Sequence, residues 1–256
     1  MLKKRLIGVV TVKDGWAVQS FGYKRHLPLG KPEVLVQNLD RWGADEILVQ
    51  CIDRSACGTG PDLEVLDKIS KLGIATPLIY AGGIGSREDA VKVVSHGADR
   101  IMVDAMLFDS PDSLETVARD LGTQAVIGHL PVRIDGDHLK ALEYRSKKEK
   151  PITELITQWP MEWISEVMVT DWQHEGLPNS FDENLLCIDR YIDKPLLCFG
   201  GISQPGQIQR VLAHPNVAAA GVGNFLNYRE HAMQLLKEDL GNRSMRLPYY
   251  EAAHWD

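Results

Sequence analysis

Positive charge is not in surplus in this sequence: 28 Lys and Arg stand against 35 Asp and Glu, a formal net charge of -7. That balance supplies no basic footprint for nucleic acid or for an anionic membrane surface, so the expected partner is a small molecule or another protein. Cysteine is sparse. The four present, Cys51, Cys57, Cys187 and Cys198, lack the close paired spacing of a zinc site or a disulfide framework, and reduced thiols in a cytoplasmic protein are expected. No His, Cys and Asp cluster has metal-ligand spacing, and no Gly-x-Gly-x-x-Gly fingerprint follows a strand pattern. Neither a metal nor a cofactor is therefore expected. Long apolar runs are missing too. The stretch Leu6 to Val12, behind Lys3-Lys4-Arg5, breaks at Lys13-Asp14-Gly15, too soon for a secretory signal or a membrane span. It reads as a buried first strand.

What is present is an ordinary globular composition, 44% hydrophobic and 25% charged, with enough apolar material for a sizeable core. Short β-branched-rich runs recur, each followed by Gly, Asp, Ser or Pro. They predict strands over Arg5–Thr11, Glu46–Ile52, Pro77–Ala81, Arg100–Asp104, Gln124–Leu130, Glu166–Asp171, Pro195–Phe199 and Val217–Val222. Amphipathic stretches predict helices over Pro32–Trp42, Leu63–Leu72, Arg87–His96, Pro111–Leu121, Ile152–Trp163, Glu183–Tyr191, Pro205–Leu212 and Tyr228–Leu240. Strand and helix alternate eight times, which implies right-handed crossovers, a parallel sheet and closure into a (β/α)8 barrel. The whole of 1–256 is expected to be one such domain, with a short aromatic C-terminal extension over about 244–256 that docks on the barrel or on a partner.

The two halves resemble each other. Thr76-Pro-Leu-Ile-Tyr-Ala-Gly-Gly-Ile84 and Lys194-Pro-Leu-Leu-Cys-Phe-Gly-Gly-Ile202 align at an offset of 118 residues, from Gly82 to Gly200. Glu46-Ile-Leu-Val and Glu166-Val-Met-Val align at an offset of 120. A duplicated half-barrel accounts for both. A glycine pair at a strand end lets a ligand approach the backbone without a Cβ in the way, and its N–H groups with the next helix N-terminus form an anion cradle. Cradles at Gly82 and Gly83, and at Gly200 and Gly201 with Gly223, suit a ligand carrying a phosphate at each end. The plainer reading is that each pair only turns the chain.

The segments Arg5-Leu-Ile-Gly-Val-Val-Thr-Val-Lys-Asp-Gly15, Gly43-Ala-Asp-Glu46, Ala81-Gly-Gly-Ile-Gly85, Gly97-Ala-Asp-Arg100, Gly122-Thr-Gln-Ala125 and Phe199-Gly-Gly-Ile-Ser203 occur in order over nearly the full length. In them the chain resembles the cyclase subunit (HisF) family of imidazole glycerol phosphate synthase, as a divergent HisF-like member. The resemblance implies a barrel of the ribulose-phosphate-binding type. In that family two aspartates at the ends of the first and fifth strands are the acid and base of ring closure. Thr11 and Pro131 stand at the matching positions here, and Gln19 replaces an assisting lysine. Neither a hydroxyl nor a proline ring holds a proton-transfer pKa near neutrality, so the standard cyclisation is not expected. The family also closes the N-terminal end of the barrel with a ring of charges, where ammonia from a glutaminase enters. Arg5, Glu46, Arg100 and Glu166 match that ring with their charge signs kept, and Asp99 and Gln124 match positions that face the glutaminase. The plainer reading of these four is strand-end salt bridges.

Cys51, Asp53, Asp104, Asp171 and His129 lie at predicted strand ends and are candidates for a replacement chemistry. Asp104 and Asp171 stand where the family tends to have neutral polar residues, so they either form a new acid/base set or repel phosphate. His129 has the right ordinary pKa for a base, although lone histidines are more often structural. Cys51 has no basic neighbour in sequence to activate it. Trp159, Trp163 and Trp172 read as packing or interface residues. The resemblance implies a glutamine amidotransferase subunit that forms a heterodimer with a HisH-like glutaminase and channels ammonia. The acceptor it implies is a third, ATP-dependent amidotransferase making acetamidino sugars for surface polysaccharide such as lipopolysaccharide. An active cyclase of histidine biosynthesis with substitute acids, and a non-catalytic sugar-phosphate-binding barrel, are the alternatives.

Overall fold

The computed structural model describes residues 3–136, 138–143, 145–241 and 245, so the extension expected to dock, about 244–256, lies outside the described residues except for Met245. Among the described residues the framework is one sheet of twelve strands. In chain order they are β1 (Arg5–Lys13), β2 (Trp16–Phe21), β3 (Arg25–Gly30), β4 (Glu46–Cys51), β5 (Leu78–Ala81), β6 (Arg100–Val103), β7 (Val126–Asp135), β8 (His138–Leu142), β9 (Glu149–Pro151), β10 (Glu166–Asp171), β11 (Leu196–Phe199) and β12 (Val217–Val222). Eight of them, β1, β4, β5, β6, β7, β10, β11 and β12, pair in parallel in that order, and β12 pairs back onto β1. The result is a closed (β/α)8 barrel.

Closure follows from what the residues bury. Successive side chains of a strand face opposite sides, so Ile7 and Val9 of β1 face the axis, where they join Leu48, Met102, Met168 and Leu197 in an inner cluster. Leu6, Val10 and Val12 face outward into a larger cluster shared with the helices. Both faces of each strand are therefore covered, which explains why the strands read as continuous apolar runs. The helix Pro32–Arg41 opens on a proline, whose missing N–H has no intrahelical acceptor in a first turn anyway, and buries Val36 and Leu39. A Cβ at Gly8 would sit 2.8 Å from Leu39 Cδ1, so glycine at position 8 lets the Leu39 side chain pack directly onto β1. The helix Arg87–Ser95 begins with a reciprocal cap between Ser86 and Asp89.

Some elements differ from expectation. β1 continues to Lys13 and β7 to Asp135, because each turns back on itself: β2 and β3 extend β1 as an antiparallel hairpin, and β8 and β9 extend β7. These hairpins follow the first strand of each half. No strand is predicted there from sequence, although the alternation of Val18 and Ser20 before the Gly22-Tyr23 turn is a hairpin signal. The expected helix Ile152–Trp163 is instead Ile152–Ile156 followed by a 3-10 turn at Met161–Trp163. Pro160 explains the break, since it lacks the helix donor and disfavours helical dihedrals at Trp159. Glu183–Arg190 is a 3-10 helix, and the last helix starts at Ala232 rather than Tyr228, after His231 at φ 55°. Among the described residues no helix is long and apolar enough to cross a membrane.

Candidate functional site

At the N-terminal end of the barrel, the first inward positions of β1, β4, β6 and β10 are Arg5, Glu46, Arg100 and Glu166. Arg5 Nη1 lies 3.0 Å from Glu46 Oε2, Arg100 Nη1 lies 3.1 Å from Glu46 Oε1 and 2.7 Å from Glu166 Oε2, and Arg5 also pairs with Glu166. Each cation touches both anions, so the four charges close into a ring across the barrel end. Their side chains are only 7% to 14% exposed. Burial pushes the Glu46 carboxyl up, Arg5 and then Arg100 pull it down, and Glu166 adds to the push. The net direction is upward, so desolvation outweighs attraction at this carboxylate. Arg100 is held further by its Nε on the Gln124 carbonyl and its Nη2 on Ser165 Oγ, both at 3.0 Å. A lysine, with its three donors on one nitrogen, could not span these acceptors as the fork does. Asp99 and Gln124 are exposed beside the ring, and Asp99 also accepts from Leu78 N at 2.8 Å.

At the opposite end, the hairpin of β2 and β3 folds over the mouth. Its tip turns through Gly22 and Tyr23, both at positive φ (59° and 55°). The Tyr23 hydroxyl reaches within 3.4 Å of Gln50 Oε1. Burial, and then the charge of Glu175, push the Tyr23 phenol well up, so the hydroxyl stays protonated. Glu175, on the loop after β10 and 2% exposed, grips the tip: its Oε2 accepts from Ser20 Oγ at 3.0 Å and from Tyr23 N at 3.2 Å, and its carbonyl accepts from Gly22 N at 2.9 Å. Asn224 donates from Nδ2 to Ser20 O at 2.7 Å. A Cβ on Gly176 would sit 1.9 Å from that same oxygen, so only glycine permits the clamp. Sequence reasoning missed Tyr23, Glu175 and Asn224. The clamp joins positions 155 and 204 residues apart, and no local pattern marks such a contact.

Beneath the hairpin lie two cavities, one of about 120 Å³ bordered by Gly82, Pro131, Asp104 and His129, the other of about 110 Å³ bordered by Thr11, Gly201, Ser203 and Gly223. All four paired glycines have positive φ, between 72° and 116°. Their missing Cβ atoms would face the loop of the preceding strand. A Cβ would meet Cys51 O at 2.1 Å from Gly82, Gly60 O at 2.2 Å from Gly83, Asp171 O at 2.3 Å from Gly200 and Ser180 Oγ at 2.5 Å from Gly201. The close approach of the preceding loop therefore requires the glycines.

The N–H groups around the two pairs differ. Gly83 N donates to Ser55 Oγ at 2.9 Å, and that hydroxyl donates to Asp104 Oδ1 at 3.2 Å, which also accepts from Ala105 N at 2.6 Å. Gly85 N and Ser86 N donate to Asp89 Oδ2 at 3.2 and 3.1 Å. In the second half, the helix Pro205–Ala213 has no acid in its first turn and no side-chain cap. Ser55 was also missed from sequence, for it lies one helical turn past β4 with no motif around it.

Of the candidates for replacement chemistry, Asp104 and His129 line the same cavity. His129 Nε2 lies 3.0 Å from Thr170 Oγ1, and burial pushes its pKa down against the pull of Asp104, so the imidazole is neutral near pH 7. Asp53 and Asp171 do not join them. Asp171, 1% exposed, accepts from Asp182 N at 2.9 Å and pairs with His174 Nδ1 at 2.7 Å, so it caps its own loop. Asp53 accepts from Asp14 N at 3.1 Å and fastens the turn after β1. The Cys51 thiol packs into the outer cluster, and burial pushes it up to about 12, so it stays protonated and unreactive. Trp159 packs edge-on to Phe108 in the core and Trp163 packs against it, while Trp172 lines the mouth with Lys24 5.9 Å above its ring.

A closed barrel of duplicated halves with an ion ring at one end is matched by a known family profile, described as "Histidine biosynthesis protein", over residues 5–232. The chain belongs to that family. It is 27% identical over 245 residues to imidazole glycerol phosphate synthase subunit HisF of Staphylococcus aureus (strain MRSA252), covering 93% of this chain and 96% of that one. To the HisF subunit of Staphylococcus saprophyticus it is 23% identical over 245 residues, covering 94% and 97%. A Vibrio vulnificus (strain YJ016) chain assigned as a hisF2 subunit of the same synthase is 24% identical over 250 residues, covering 96% and 92%. Identity this low over full-length coverage makes this a divergent HisF-like chain.

Proposed function

We propose that this HisF-like chain is the barrel subunit of a glutamine amidotransferase, paired in the cytoplasm with a glutaminase at its N-terminal end, and that ammonia crosses the barrel to a reaction other than imidazole ring closure. The observation that carries the reading is the closed ring of Arg5, Glu46, Arg100 and Glu166 at the entrance. Burial works against Glu46 in that ring, so fold stability is a poor reason for having it. Beyond the ring the interior is apolar, which suits neutral ammonia and disfavours an ammonium ion that would have to shed its water. At the mouth, Thr11 and Pro131 offer no carboxylates, and the relatives, named as synthase subunits, support a partnered role.

The acceptor reaction we propose is the one implied by the resemblance: supply of ammonia to a third, ATP-dependent amidotransferase that builds acetamidino groups on surface-polysaccharide sugars. A phosphorylated sugar is the ligand that suits the mouth, with its phosphate toward Gly201 and Gly223. One observation favours the alternative of a working cyclase, namely that Asp104 and His129 share a cavity. The test mixes the chain with a co-expressed HisH-type glutaminase. Glutamine turnover rising on complex formation, with no imidazole glycerol phosphate produced, is expected. Formation of that product would return the chain to histidine biosynthesis, and binding of a sugar phosphate without any glutaminase association would leave a non-catalytic barrel.

A further inference from the structure

The duplication that built the barrel gave each half a strand end of the same design, and the two have diverged in charge. Val103-Asp104-Ala105 and Val222-Gly223-Asn224 occupy corresponding places, at an offset of 119 residues. Where the strand of the second half ends in a glycine without a side chain, that of the first half ends in a carboxylate that lines the mouth cavity; Glu175 borders the second cavity, but its Oε2 is taken up by Ser20 Oγ and Tyr23 N of the hairpin. That carboxylate is held in place: Asp104 Oδ1 accepts from Ala105 N at 2.6 Å and from Ser55 Oγ at 3.2 Å, and Ser55 Oγ in turn receives Gly83 N at 2.9 Å. A phosphate at this end would use those donors. Asp89 takes two more, Gly85 N and Ser86 N, while the corresponding position in the second half is Gln207.

We infer that Asp104 is a specificity determinant: it stands in for an anion at the first-half end of the mouth, so the ligand carries one phosphate, at the second-half end, and presents an uncharged, hydrogen-bonding group to Asp104. The inference rests on the proposal that the mouth takes a phosphorylated sugar. Geometry and charge act together here, because a second phosphate would find its donors used and a fixed like charge beside it. Lys147, which lines the same cavity from the turn between β8 and β9, is one cation against the two or so charges of a phosphate near pH 7 plus that of Asp104.

The experiment compares the affinities of ribose 5-phosphate and ribulose 1,5-bisphosphate at fixed ionic strength, by calorimetry, for the full chain and for Asp104→Asn and Asp104→Gly, the latter copying Gly223. For the wild type the bisphosphate should bind no more than about 3-fold tighter than the monophosphate, and in either variant that ratio should rise by about 10-fold or more as the like charge is removed. A wild-type preference for the bisphosphate of about 10-fold, or an unchanged ratio in a variant with native circular dichroism, overturns the inference while leaving the sugar-phosphate reading intact. No binding of either compound to any of the three folded proteins overturns the sugar-phosphate reading and this inference with it.

Discussion

Replacing Glu46 by glutamine separates the two reasons a protein has for holding an ion ring. At an effective dielectric of ~20, two unit charges ~4 Å apart attract by about 4 kcal/mol, and Glu46 has two such partners. Opposing that are the repulsion of Glu166 and the loss of water around a side chain 7% exposed, a cost of several kcal/mol per ion. The upward direction of the Glu46 pKa says that the opposing terms win. Glu46→Gln keeps the shape and one acceptor, so its stability at pH 7 should lie within about 1 kcal/mol of wild type, whereas Glu46→Ala, which leaves a void and takes away the acceptor that Arg5 and Arg100 share, should lose about 2–4 kcal/mol. The sign with pH follows from linkage. The folded pKa of Glu46 is above the unfolded value of about 4.3, so its contribution is fully present below that value and is lost as pH rises through the folded one. Glutamine does not titrate, and Glu46→Gln should therefore gain on wild type between pH 4 and pH 7. Urea unfolding followed by tryptophan fluorescence at both pH values measures the difference. A loss of about 3 kcal/mol or more in Glu46→Gln at pH 7 would mean that the arginines need the Glu46 charge more than burial opposes it, against the upward direction of its pKa, and the ring would no longer be a poor choice for stability.

The clamp on the first hairpin predicts a second result: Glu175→Ala should raise the rate of proteolytic cleavage within residues 14–30 by about 10-fold, as local opening becomes less costly, while Glu175→Gln, which keeps an acceptor for Ser20 and Tyr23, should not. Equal protection in the alanine variant would show that Asn224 and the bond from Gly22 N to the Glu175 carbonyl hold the tip without the carboxylate. Burial also raises the thiols of Cys51 and Cys198 to about 12. An aromatic disulfide reagent at pH 8 should therefore label exposed Cys57 first, then Cys187, and should reach Cys51 and Cys198 only after unfolding, as mass spectrometry of the labelled peptides would reveal.

The fold was legible in the sequence because closure of a barrel depends on a repeated local pattern. Each strand had to bury both faces, so Ile47 to Val49 or Leu196 to Cys198 appear as unbroken apolar runs wherever they occur. The glycine pairs were legible for a related reason, since Gly82 and Gly200 must adopt a positive φ that few other residues tolerate. Which atoms require the glycine, the Cys51 and Asp171 carbonyls rather than a ligand, depended on the loop of the strand before.

The site divides in the same way. Arg5, Glu46, Arg100 and Glu166 could be proposed from sequence because they match the ring of charges that the resemblance implies, but that every cation touches both anions is a property of barrel diameter and strand stagger. Asp171 and Asp104 look alike as strand-end acids, and only the pleat separates them, one turned outward to cap a loop and the other inward to the mouth. The hairpin lid was least legible, for Ser20, Tyr23, Glu175 and Asn224 come from three distant segments and no spacing in the chain relates them. The sequence by itself determined periodicity, chain reversal and the absence of carboxylates at positions 11 and 131. The tertiary structure alone decided which charges meet and which donors are already taken, because those depend on distances across the barrel rather than along the chain.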